Sequence, residues 1–96
     1  MGSPAGPERR RWVLVPHPEF WEDLRYWAEH QPRTTKRVLD LLKEMERDPF
    51  TGKGKPEPLR YLGPDVWSRR ITEEHRLVYS VGNGRVELLQ CRYHYE

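Results

Sequence analysis

The chain has 96 residues, 35% of them hydrophobic and 33% charged, enough for one domain around one small core. No apolar run approaches the roughly 18 residues of a membrane span, no signal peptide opens the chain, and a single cysteine excludes an internal disulfide and fits a reducing cytoplasm. Lysine and arginine number 17 against 15 aspartates and glutamates, a net of +2; that is too weak for a general nucleic-acid coat but leaves room for a local basic cleft in residues 51–96, which hold the excess.

Residues 1–10 are rich in Gly, Pro and Arg without apolar periodicity and read as a disordered leader or a cloning remnant, so the domain is expected over 11–96. Arg11 to Val15 is a short β-type run stopped by Pro16. Pro18 suits the first turn of a helix, and Glu19, Glu22 and Asp23 favour its positive end. Phe20, Trp21, Leu24, Trp27 and Ala28 recur at helical spacing as one apolar face, with Trp21 and Trp27 expected as core anchors. Pro32 ends that helix. Thr34 or Thr35 can cap the next, whose buried stripe is Val38, Leu41, Leu42 and Met45, and Pro49 closes it.

Thr51 to Leu59 cannot be helical. Its two glycines, two lysines and two prolines make an exposed loop that ends in a strand near Leu59 to Tyr61. Residues 62–65 are a turn, Val66 to Ile71 a strand, Thr72 to His75 a turn, Arg76 to Val81 a strand, Gly82-Asn83-Gly84 a hairpin turn, and Arg85 to Tyr93 the last strand, with Val86, Leu88 and Cys91 inward. The order predicts an α+β fold: two N-terminal helices packed on one face of an antiparallel-rich sheet.

The four histidines and Cys91 have no metal-ligand spacing, Gly52 to Lys55 lacks the P-loop pattern, and Cys91 in a strand reads as a small buried hydrophobe. What remains is Glu57, Arg69, Arg70, Arg76 and His94, with Lys53 and Lys55. Arg69 and Arg70 point to opposite faces of a strand, so at most one of them joins a site on a given face. An ionised carboxylate can take a proton, a histidine can give one, and arginines supply charge to a phosphate transition state. These parts suffice to cleave RNA without a metal. Residue types alone also allow an ordinary salt-bridged surface with a solvated C-terminal histidine.

Three segments go further. Gly52-Lys53-Gly54-Lys55-Pro56-Glu57-Pro58-Leu59, Trp67 to Tyr79, and Cys91-Arg92-Tyr93-His94-Tyr95 together resemble the YoeB (Txe/YoeB) toxins of bacterial toxin–antitoxin modules, within the RelE/ParE superfamily. The resemblance implies a RelE-like α/β (α+β) fold with a curved sheet. It implies a ribosome-dependent endoribonuclease that cuts mRNA in the A site, without metal or cofactor. Glu57, Arg76 and His94 match the family's catalytic residues. Lys53, Lys55, Arg69 and Tyr95 match positions that hold RNA or shape the site. A YefM-type antitoxin, a homodimer, a cytoplasmic location, and DNA contact only through the antitoxin are implied as well. A ParE-like gyrase poison and a non-catalytic antitoxin-binding corepressor are the rival readings. Glu96 after the His-Tyr pair and residues 1–10 depart from the family's usual pattern.

Overall fold

Prolines punctuate the first three elements. The structure, a computed structural model, describes residues 11–93. Strand β1 (Val13–Pro16) ends on a proline, helix α1 (Pro18–His30) and helix α2 (Pro32–Arg47) each begin on one, and Pro49 follows the end of α2. A proline at the first helical position loses nothing, because its missing N–H would have had no partner. The residue ahead of a proline is driven out of the α region. Gln31 obeys this, at φ −145°, and breaks the helical run into two. Thr34 and Thr35 therefore do not cap α2 as expected. Gln31 is the cap residue, and its carbonyl accepts the N–H groups of both threonines.

The remaining elements are β2 (Glu57–Pro58), β3 (Val66–Arg70), β4 (Arg76–Gly82) and β5 (Arg85–Gln90). The sheet order is β1-β5-β4-β3-β2, with β1 parallel to β5 and every other pair antiparallel. The strand expected at Leu59 to Tyr61 is instead the two-residue β2, ahead of a turn whose Leu59 carbonyl accepts the Leu62 N–H. The last strand stops at Gln90 rather than Tyr93.

Both helices lie against one face of this sheet. Phe20 and Trp27 from α1 and Val38, Leu41 and Met45 from α2 meet Leu77, Tyr79 and Val81 of β4 and Val86 and Leu88 of β5 in one buried cluster. Cys91 joins it, fully buried, as its apolar setting suggested. Trp21 does not: it is 55% exposed, on the outer side of α1. Alternation along the strands then settles the other face. Trp67 and Arg69 pair with Tyr79 and Leu77 and look toward the helices, whereas Ser68 and Arg70 pair with Val78 and Arg76 and look away from them. That second face, which carries no helix among the described residues, is the open face.

Candidate active site

The segment between α2 and β2 is assembled around one side chain. Arg69 is fully buried. Its Nη1 donates to the Lys53 carbonyl at 2.9 Å, its Nη2 to the Asp48 and Thr51 carbonyls at 2.8 and 2.7 Å, and its Nε to the Tyr79 hydroxyl at 3.2 Å. Tyr79 in turn donates to the Pro49 carbonyl at 2.7 Å. A guanidinium has five N–H groups in a rigid fork, and here they replace the water that these carbonyls would otherwise need. Burial pushes the Tyr79 phenol above its ordinary value, so it stays protonated and can keep donating.

Asp48 tightens the entry to the same loop. Its carboxylate accepts the Phe50 N–H at 2.9 Å and the Thr51 hydroxyl at 3.0 Å. The Phe50 hydrogen bond is the largest influence holding it below the usual carboxylate range. Gly54 then makes the tight turn with φ +85°, and its carbonyl accepts the Arg70 N–H at 2.7 Å. The chain emerges between two prolines as β2, with Glu57 directly across from Ser68. A carboxylate in a Pro-rich loop is thereby delivered to the open face.

There Glu57 meets Arg76. Oε2 of Glu57 lies 4.0 Å from Nη1 of Arg76, which also donates to Oγ of Ser68 at 3.1 Å. The Glu57 side chain is half exposed and that of Arg76 largely covered. Arg70 pairs with Arg76 across the β3–β4 ladder, so a second guanidinium stands on the same face. Lys53 and Lys55 are exposed on the loop that leads to Glu57. The arrangement joins a proton acceptor, reachable by solvent, to donors shaped for a phosphate oxygen.

The sequence-derived set divides as follows. Glu57 and Arg76 come together. Lys53 and Lys55 are exposed on the loop that precedes Glu57, and Lys53 lines a shallow cavity with Arg11 and with Asp40, Lys43, Glu44 and Arg47 of α2. Arg69 lies on the helix-facing side, fully buried, with three hydrogen bonds to loop carbonyls and one to Tyr79, a position suited to shaping the site. Arg70 takes the outward position in its place. His94 and Tyr95 lie outside the described residues; Tyr93, just before them, accepts the Arg76 N–H through its carbonyl at 2.9 Å. Ser68 drew no attention in the sequence, since a serine in a strand carries no signal of what it will face.

Two other features are set aside on chemical grounds. Burial, with Asp23 adding to it, pushes the Cys91 thiol up to about 12, which leaves no thiolate for nucleophilic work. A cavity of about 810 Å³ opens beside Tyr26, His30, His75 and Arg92. Neither Glu57 nor Arg76 lines it, and its aromatic surface is already engaged, with Arg92 3.4 Å over the Tyr26 ring and His30 stacked on it at 4.3 Å.

Comparison with known proteins adds the family. Residues 17–95 match the model of the YoeB-like toxin of bacterial type II toxin–antitoxin systems. Toxin YoeB of Escherichia coli K12 is 50% identical over 82 residues, 85% of this chain and 98% of that protein. A YoeB/ParE toxin from Agrobacterium tumefaciens superposes with a TM-score of 0.80 at 45% identity, covering 86% of this chain and 99% of the other. The toxin of a YoeB–YefM complex from Staphylococcus aureus does so with a TM-score of 0.76 at 37% identity, covering 88% and 99%. The match spans both helices, all but the first strand of the sheet, and the loop that carries Glu57, and by it the chain belongs to the YoeB family, the toxins of bacterial type II toxin–antitoxin systems.

Proposed function

We propose that this toxin is a ribosome-dependent endoribonuclease that cleaves mRNA in the A site and so stops translation in the cytoplasm. The observation that carries the reading is the meeting of the Glu57 carboxylate and the Arg76 guanidinium, 4.0 Å apart on the open face. Glu57 takes the proton from a ribose 2′-OH, and the 2′-oxygen bonds to the adjacent phosphorus. Arg76 carries the charge that builds on the phosphate oxygens, with Arg70 on the same face of the sheet. His94 gives a proton to the departing 5′-oxygen as the P–O5′ bond breaks. The products are a 2′,3′-cyclic phosphate and a 5′-hydroxyl, and DNA, lacking the 2′-OH, is not cut.

Acid–base groups of this kind each supply about 10²- to 10⁴-fold. The ribosome supplies the rest by holding the message in a fixed geometry. A YefM-type antitoxin neutralises the toxin in this reading, and a homodimer forms in solution, which light scattering measures directly. Primer extension on mRNA in a translation mix, with and without ribosomes, tests the whole scheme. Cuts that need ribosomes, leave a 5′-hydroxyl and vanish in Glu57→Gln support it. Cuts that leave a 5′-phosphate, or persist undiminished in the variant, overturn it.

A further inference from the structure

We infer that Ser68 is a positioning residue for Arg76, fixing the guanidinium so that it serves the scissile phosphate instead of closing on Glu57. The inference rests on the nuclease reading above. Ser68 is fully buried in the floor of the open face, across from Glu57 on one side and from Val78 on the other. Its Oγ accepts the Arg76 Nη1 hydrogen bond at 3.1 Å, shorter than the 4.0 Å from that nitrogen to the Glu57 carboxylate. One nitrogen of Arg76 is therefore shared between a neutral acceptor that holds it and an anion that attracts it.

The geometry has a chemical consequence. A guanidinium beside a carboxylate can close into a charge-assisted contact pair, and a half-exposed pair of this kind is held only weakly, so a neighbouring acceptor decides its geometry. In such a pair the carboxylate is occupied by its neighbour and the guanidinium has fewer N–H groups for a phosphate. The serine hydroxyl fixes the fork a little short of that pair. It touches neither substrate nor reacting atoms, so its effect falls on the rate of the chemical step and not on the capture of the ribosome, which the exposed lysines serve.

The test measures kcat and KM for cleavage of a defined mRNA on programmed ribosomes. Ser68→Ala is compared with Ser68→Cys, which keeps the side-chain shape but offers a weak acceptor, and each is made alone and with Arg76→Lys. Melting temperatures establish that all variants are folded. The expected result is a fall in kcat of about 10- to 100-fold in Ser68→Ala and Ser68→Cys with KM within about twofold, the scale of one hydrogen bond to a charged group. In the Arg76→Lys background the serine change then adds little, because the geometry it enforces is already gone. Full speed in Ser68→Cys, or equal slowing with and without Arg76→Lys, overturns the assignment while the wild type still cuts. A wild type that cuts no mRNA on ribosomes overturns the nuclease reading and the assignment with it.

Discussion

Arg69 and Glu57 sit 12 positions apart in the chain and have opposite tasks. Arg69 is a buried charge with four hydrogen bonds and none to a carboxylate, so it stabilises only while its carbonyls stay in place. Replacing it with methionine fills the volume but strands the Lys53, Asp48 and Thr51 carbonyls and removes the donor to the Tyr79 hydroxyl, which keeps its bond to Pro49. The expected loss is about 3 kcal/mol or more, read from urea unfolding. Lysine does not rescue it, since one ammonium cannot reach the same set of acceptors. Glu57 is the converse: it is half exposed, and Glu57→Gln leaves the melting temperature within about 2 °C while cleavage falls by at least about 10²-fold. Asp23 supplies a pH signature. It is buried, accepts the Cys91 N–H at 3.0 Å, and burial raises its carboxyl above the ordinary value of 3.8. A raised carboxyl favours the folded state most below its unfolded value, and that contribution is lost as pH rises through the folded value. Asp23→Asn keeps the acceptor without the charge. Its melting temperature relative to wild type should thus climb as pH rises above about 4; a difference that falls with pH excludes this account.

At the scale of elements, the loop from Asp48 to Pro56 is the device that makes a site out of a sheet edge. It depends on Gly54, whose φ of +85° is costly for any residue with a side chain. A Cβ there would stand 3.1 Å from the Arg70 carbonyl, the Arg69 Cβ and Leu41 Cδ2, with backbone that cannot give way. Gly54→Ala should lower stability by about 2 kcal/mol or more and slow cleavage beyond what the unfolded fraction explains, because the same turn delivers Glu57. Calorimetry and single-turnover cleavage on one preparation separate the two effects. Helix α2 contributes differently. Its Val38, Leu41 and Met45 are fully buried, and Leu41→Ala should cost about 2–5 kcal/mol with no change in the rate of the folded fraction.

For the whole molecule, a net charge of +2 gives little attraction to free RNA. In the proposed reading the basic groups act by where they stand, not by being numerous. Converting Lys53 and Lys55 together to glutamine should reduce the slope of log KM against log salt on ribosomes by about 1.5, the equivalent of two phosphate contacts, and leave the slope of unfolding unchanged. Acid should also act on the molecule as a whole. Asp48 is held low chiefly by the Phe50 hydrogen bond, and Glu87 is held low chiefly by His17, 2.6 Å away. Their folded values lie below the unfolded ones of 3.8 and 4.5, so their contribution is present above those values and drains away as pH falls through the folded ones.

Much of this was legible from residue order. Pro18, Pro32 and Pro49 mark where helices can begin or must stop, and the 3.6-residue stripes in between name Phe20, Trp27, Val38, Leu41 and Met45 as core, because helix periodicity is a local property. The three long motifs identify the family for the same reason: they are strings, and strings survive without a fold. Glu57 and Arg76 could be proposed on their chemistry, but not their separation. Tertiary structure decided what depends on pairing between distant strands. A strand's alternation says that Arg69 and Arg70 part company, yet which one enters the core is set by the register with Leu77 and Tyr79 across the ladder. Ser68 became part of the site through that register, β1 joined β5 in parallel through a pairing 72 positions away, and Trp21 stayed in solvent because the sheet covers only one side of its helix.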